Sequence, residues 1–389
     1  MSKPRMLGAL LSAVVLVAMS GCAAEKKDTP AGEIKIGASI ELSGATQVLG
    51  ATFEKALNLK VKQINDAGGV GGRKIKLIIR DNQTKPDVGL ANVNHFIDNE
   101  KVSAIISGGC SACIVNAKAT ATTKKTPVIA LGSASGITAP SDPNTKYVFK
   151  ISPNPAEDAD AIVNELHRKG IKKIGLISVQ NVYGQDGKAK VTEKAKAKGI
   201  EIVAAEEFGQ DDKDMTIQVG KVVAKEPEAV VVWAVMPAAG LIAQALQTAK
   251  YPAGQVYLDA GAGAELFVKG AQSASEGTHM VFPGILAIND AVATTPQVTA
   301  QKAWFRDYSA AYGTYSGFAS FGADAVQMIA DAVKSTGTTD PDKIRDALEK
   351  AQLDGMTGPI KMTAENHSGL QAEALKIVVV RNGEWRLAS

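Results

Sequence analysis

The stretch Val102–Gly136 reads V-S-A-I-I-S-G-G-C-S-A-C-I-V-N-A-K-A-T-A-T-T-K-K-T-P-V-I-A-L-G-S-A-S-G, and its pattern decides the fold class. Two short β-branched apolar runs, Val102–Ile106 and Pro127–Leu131, each stop at glycine followed by small hydroxyl residues. A polar helical run, Ser111–Thr122, lies between them. Strand, helix and strand in that order predict a βαβ crossover. Its two loops then sit at the carboxyl ends of neighbouring parallel strands, where open sheets bind their ligands. The first loop runs straight into the helix, so free N–H groups and the positive end of a helix dipole converge there. Ser111, Ser133 and Ser135 add hydroxyls that donate and accept. The place suits a small anion such as a carboxylate. The same serines also fit ordinary helix capping and turn chemistry. No nucleophile, base and metal set accompanies the stretch, which points to a binding site and away from an enzyme.

Outward from this centre the chain alternates strand and helix. Strands are expected at Ile34–Ile40, Lys74–Arg80, Tyr147–Ile151, Lys173–Val179, Glu201–Glu206, Ala229–Val235 and Gln255–Leu258, with helices between them. In the first helix, Thr52–Ala67, Phe53, Ala56, Leu57, Val61 and Ile64 share one face, and Gly68-Gly69 ends it. Such alternation predicts parallel sheets covered by helices on both faces. The last third differs. Met280–Ala303 is interrupted by Pro, Thr and Asn, three helices follow (Gln301–Tyr312, Phe318–Ser335, Asp340–Lys350), and short strand-like runs close the chain at Pro359–Met362, Ala374–Arg381 and Glu384–Leu387. A tail of this kind cannot form a core of its own and is expected to return to the two earlier units.

The N-terminus is a targeting segment. Lys3 and Arg5 precede the apolar run Met6–Met19, and Met19-Ser20-Gly21-Cys22 supplies small residues for cleavage. This resembles a bacterial lipoprotein signal, which implies lipidation of Cys22; an ordinary secretory signal with Cys22 incidental is the plainer alternative. Ala23–Gly32 reads as a polar tether. Lys3 and Arg5 account for two of the three net positive charges, so the exported chain carries no electrostatic footprint for nucleic acid, and aromatic residues are too scarce for a base-stacking platform.

Cys110-Ser111-Ala112-Cys113 invites a redox interpretation, because thiols at a helix start are activated. In an exported chain with only three cysteines, a local disulfide that stiffens the loop is the favoured alternative. His95, His167, His279 and His367 are scattered without metal-ligand spacing, and two thiols alone make no zinc site. Gly68–Gly72 lies between a helix and the following strand, the wrong side of a βαβ unit for a dinucleotide loop. Gly132–Gly136 has Ala134 where a nucleophile elbow needs serine. Neither a metal nor a cofactor is expected.

Three segments carry a family resemblance: I-G-A-S-I-E-L-S-G-A-T-Q-V-L-G (Ile36–Gly50), I-N-D-A-G-G-V-G-G-R-K-I-K-L-I-I-R-D-N-Q (Ile64–Gln83), and the G-P-I-K-M…V-V-V-R-N-G-E-W tail. From Glu33 to Trp385 the chain resembles the leucine/isoleucine/valine-binding proteins, the extracytoplasmic substrate-binding subunits of branched-chain amino acid ABC transporters. The resemblance implies an α/β type I periplasmic binding protein: two doubly wound parallel-sheet lobes, joined by three crossing strands, that close on a ligand. It implies a signal peptide over 1–21, a tether over 22–32, an N-terminal lobe of 33–150 plus 280–356, and a C-terminal lobe of 151–279 plus 357–389. The expected protein is a lipid-anchored monomer of the cell envelope that hands its ligand to a membrane permease.

The site also follows from the resemblance. Ser111 corresponds to a serine on the ligand α-carboxylate. Ser133, Ala134 and Ser135 match the next ligand-binding loop, and Tyr183 an aromatic from the second lobe. Asp259 falls near the acidic residue that pairs the ammonium, although it also fits a strand-end turn. Leu49 stands where an aromatic is common, and Trp233 and Met236 where other members carry small or tyrosyl residues; Trp233 equally suits a core position. Relatives tie the Cys110 loop to another strand, but the matching position near Thr84 has no cysteine. The expected ligand is a hydrophobic or branched-chain amino acid. An aromatic or short-chain carboxylate, or a sensing role, is the alternative.

Overall fold

In a computed structural model of the chain, which describes residues 32–388, two α/β lobes repeat one topology. The leader, the tether up to Ala31, and Cys22 lie outside the described residues. The first sheet holds β1 (Ile34–Ile40), β2 (Ile75–Asp81), β3 (Ala104–Ser107), β4 (Val128–Ala130) and β5 (Val148–Lys150), ordered β2-β1-β3-β4-β5 and parallel throughout. Helices α1 (Gln47–Asp66), α2 (Pro86–His95) and α3 (Ser111–Thr123) make its crossovers. The second lobe carries α4 (Pro155–Arg168), β6 (Lys173–Val179), α5 (Val182–Ala197), β7 (Glu201–Phe208), α6 (Thr216–Val223), β8 (Ala229–Trp233), α7 (Ala238–Thr248), β9 (Val256–Leu258), α8 (Glu265–Ala271) and β10 (His279–Pro283). Its strands run β7-β6-β8-β9-β10, the same winding as the first sheet. In each lobe the strand order reverses at one point, between β1 and β3 and between β6 and β8. The loops leaving those strands define the crevices where a ligand fits.

After β10 the chain forms α9 (Pro296–Tyr312), α10 (Ala319–Thr336) and α11 (Pro341–Leu348), and α10 lies along α1 of the first lobe. A short antiparallel hairpin follows, β11 (Gln352–Asp354) with β12 (Pro359–Lys361). The chain then adds β13 (Leu375–Arg381) and β14 (Glu384–Leu387) antiparallel at the far edge of the second sheet. It therefore passes between the lobes three times: after β5, after β10 and before β13. The stretch Met280–Ala303, expected to be irregular, contributes to β10, a central strand. Met280, Val281 and Phe282 are fully buried there, and Pro283 sits at its last position.

The physics of the core is the usual one. In β1, Ile34, Ile36, Ala38 and Ile40 are fully buried. β8 (A-V-V-V-W) is buried along its whole length, as a central parallel strand covered on both faces must be. Beneath the interlobe cleft, Phe282 of β10 meets Phe318 and Phe321 edge-on at 5.7 and 6.0 Å, and Phe318 in turn meets Phe53 of α1 at 6.1 Å. These rings join the lobes through an apolar floor.

Candidate functional site

Between the lobes lies a cleft of about 350 Å³, lined by the switch-point loops of both sheets. From the first lobe come Thr46 and Leu49 (after β1), Gly109, Cys110, Ser111 and Ala112 (after β3), and Leu131, Gly132 and Ser133 (after β4). The second lobe supplies Asn181, Val182 and Tyr183 (after β6), Val235 (after β8), and Ala260 and Gly261 (after β9). Thr84 and Pro86 beside α2, the crossing residues Ser152 and Pro153, Gln210, and Phe318 with Phe321 complete the wall. No residue lining this cleft carries a charged side chain.

The polar end is rich in donors. The N–H groups of Ser111, Ala112, Gly132 and Ser133 donate to no other described group, and all four residues line the cleft. Their loop acceptors, by contrast, are engaged: Ser152 Oγ donates to the Gly132 carbonyl at 2.6 Å, and Lys150 Nζ to the Ser133 carbonyl at 2.7 Å. Ser111 Oγ accepts from Ala134 N–H at 3.3 Å, which leaves its own proton free to donate. Unmet N–H groups at the start of a thirteen-residue helix hold an oxyanion through both hydrogen bonds and the helix dipole.

Buried Glu41, which closes β1, restricts this anion site. Its Oε1 accepts from Cys110 N–H at 2.9 Å and from Asn82 Nδ2 at 3.0 Å, and Oε2 accepts from Gly109 N–H at 3.1 Å. Burial pushes the Glu41 carboxyl above its ordinary range, against the pull of those donors. Two N–H groups of the loop are thus committed inside the protein, and the ligand is left those from Ser111 onward. The one sequence signal for this role is a carboxylate directly after a mostly apolar strand.

Cys110 and Cys113 are joined. Cys110 caps α3, its Sγ accepting from Cys113 N–H at 3.2 Å. Thr84 adopts a left-handed backbone (φ 56°) and its hydroxyl meets that of Thr46 at 3.1 Å on the cleft wall.

Of the residues singled out in the sequence, Leu49, Ser111, Ser133 and Tyr183 line the cleft together. Ala134 is buried behind it, its N–H on Ser111. The N–H of Ser135 donates across the lobe boundary to Asp186 Oδ2 at 2.6 Å, so Ser135 holds the second lobe and lies outside the lining. Asp259 is fully buried and turned onto its own backbone, with Ala234 N–H at 2.9 Å on Oδ1 and Gly261 N–H at 2.9 Å on Oδ2. Burial lifts its carboxyl to about 8, and neighbouring Asp158 is also raised, by burial and then by Asp259. Trp233 is a core residue over Gly187, with Tyr183 at 6.0 Å between it and the cleft. Met236 precedes a cis Pro237 and faces a small side cavity next to Phe208 and Lys213. Asp259, Trp233 and Met236 therefore stand outside the cleft lining, each for a packing reason.

Comparison with known proteins agrees with this geometry. The chain belongs to the periplasmic binding protein family, whose profile matches residues 33–384. Members of this kind are extracytoplasmic solute-binding proteins and not enzymes. An amino acid binding protein of Pseudomonas aeruginosa is 27% identical over 213 residues, 54% of this chain and 55% of that relative, so the match spans about half of each. Among solved structures, an extracellular ligand-binding receptor of Rhodopseudomonas palustris HaA2 superposes with a TM-score of 0.84 at 26% identity, over 92% of this chain and 100% of the other. The branched-chain amino acid transporter substrate binding protein of Streptococcus pneumoniae, in complex with isoleucine, has the same fold (TM-score 0.80, 24% identity, 92% and 99% covered). So does a solute binding protein of an ABC transporter from Rhodopseudomonas palustris BisB5, in complex with 3,4-dihydroxybenzoic acid (TM-score 0.80, 22% identity, 91% and 95% covered).

Proposed function

We propose that this chain is a lipid-anchored solute-binding protein that captures a hydrophobic carboxylate lacking an ammonium group, aliphatic or aromatic, and delivers it to an ABC transporter permease. One observation carries the ligand class: the polar end of the cleft offers four unengaged N–H groups and hydroxyls, while the Gly132 and Ser133 carbonyls are occupied and no carboxylate lines it. An amino acid would need a partner for its ammonium. Asp259, the expected one, is buried with both oxygens on backbone N–H groups. The walls from Leu49, Leu131, Val182, Val235, Phe318 and Phe321 suit an apolar body. In mechanism, the carboxylate docks on Ser111, Ala112 and Ser133 of the first lobe, and Tyr183 swings in with the second lobe on closure. The ligand's contacts with both lobes at once favour the closed form.

A branched-chain amino acid remains the second reading, favoured by the neighbour bound to isoleucine and by the amino acid binding relative. Calorimetry on protein unfolded and refolded to remove co-purified ligand tests both, with aliphatic acids, aromatic acids and amino acids in turn. One-to-one binding of an acid, weakened at least about tenfold in Ser111→Ala and Tyr183→Ala, supports the first reading; binding restricted to amino acids rejects it. Lipidation of Cys22 is tested by incorporation of labelled palmitate, which Cys22→Ser abolishes.

A further inference from the structure

The Cys110–Cys113 pair stands at the mouth of the donor-rich loop, yet the binding reading uses neither sulfur. The two cysteines differ sharply in access. Cys110 is partly exposed and lines the cleft. Cys113 is 2% exposed and faces α2, where a Cβ built on Gly89 would stand 2.9 Å from the Cys113 Cβ. That close approach leaves no room on the α2 side for a third sulfur, which must approach a disulfide along the line of its bond. The cleft side, at Cys110, is open.

We infer that Cys110–Cys113 is an exchange site for small thiols that opens into the ligand cleft, with attack confined to Cys110. A thiolate entering the cleft forms a new S–S bond to Cys110 Sγ, and the pair of electrons in the old bond leaves on Cys113 Sγ as a thiolate. A second thiol then attacks the first thiol's sulfur and releases Cys110 as its thiolate, so the net step reduces one protein disulfide and oxidises two small thiols, or one dithiol, to a disulfide. Either product alters the anion end. An adduct on Cys110 fills space beside Ser111, and full reduction removes the covalent tie between the cap of α3 and its first turn. The consequence for ligand capture rests on the reading of the cleft given above; the direction of exchange does not.

The test uses the full chain with Cys22→Ser, so that the two loop cysteines are the only ones. Two single-cysteine forms, Cys113→Ala and Cys110→Ala, are exposed to oxidised glutathione, and mixed-disulfide formation is followed by mass spectrometry. The form that keeps Cys110 should react at least about tenfold faster than the form that keeps Cys113. Equal rates, or a faster Cys113, would overturn the inference. Should either substitution unfold the chain, the intact pair is treated with dithiothreitol under native conditions and quenched with iodoacetamide. Label on Cys110 with Cys113 protected until denaturant is added supports the inference; a disulfide that resists dithiothreitol until the chain unfolds refutes it. Finally, 4-methylpentanoate or benzoate should slow exchange at Cys110. Regioselective exchange that neither acid slows would leave the exchange site standing and count against the ligand class instead.

Discussion

Asp259→Asn separates the two accounts of the cleft through its effect on stability. Burial holds the Asp259 carboxyl at about 8 in the folded protein, against its ordinary 3.8. Between those two values the folded chain keeps a proton that the unfolded chain has released. Folded protein then binds more protons than unfolded, so stability falls as pH rises through this window and is flat outside it. At about 1.4 kcal/mol per pH unit, the loss reaches about 4 kcal/mol by pH 7. Asparagine cannot ionise, which removes this slope. Its single carbonyl oxygen, however, satisfies only one of the N–H groups of Ala234 and Gly261, at a cost of about 1–3 kcal/mol. The variant should therefore be less stable than the parent at pH 4 and more stable at pH 8, with the curves crossing between about pH 4.5 and 6. Urea unfolding at a series of pH values reads this directly. A variant destabilised throughout, and more so toward alkaline pH, would mean that Asp259 is ionised and held by positive charge. The carboxylate would then be available to a ligand ammonium.

Three further outcomes follow from contacts already described. Glu41→Ala strips acceptors from Gly109 N–H, Cys110 N–H and Asn82, and should cost about 3 kcal/mol in chemical denaturation; a loss below about 1 kcal/mol would contradict its hold on the loop. Gly187→Ala places a Cβ 2.0 Å from the Trp233 ring, and overpacking of this kind should lower stability by about 1–3 kcal/mol in a thermal melt; an unchanged melting temperature would argue that Trp233 is free to move. Asp186→Ala removes the acceptor that Ser135 N–H uses across the lobe boundary, so ligand affinity should fall about 3- to 10-fold and the unliganded chain should scatter as a more open particle. Unchanged affinity and scattering would show that this bond does not help to hold the lobes together.

Much of the fold was legible because parallel strands buried on both faces leave unmistakable apolar runs. Ile34–Ile40 and Lys173–Val179 begin and end where the pattern places them. β10 was hidden because Pro283 closes it and Gly284 follows directly, which suggests an end rather than a central strand. At the site, glycine-terminated strands announced Ser111 and Ser133, since the chemistry there lies in the local chain. Phe318 and Phe321 were invisible for the opposite reason. They reach the cleft from α10, about 200 residues beyond Ser111, through a crossing that no local pattern records. Asp259 shows a subtler limit. An aspartate ending a strand looks the same whether it faces a ligand or caps its own turn, and only the positions of the Ala234 and Gly261 N–H groups decide between them.

The most direct measurement is paired calorimetry at pH 7 on ligand-free protein, with leucine and 4-methylpentanoate, which share the side chain and the carboxylate and differ in the ammonium group. A cleft with unengaged N–H donors and no lining carboxylate should bind 4-methylpentanoate one-to-one and at least about tenfold more tightly than leucine. Tighter binding of leucine would contradict that account and return the ammonium partner to Asp259 or to a group this cleft conceals.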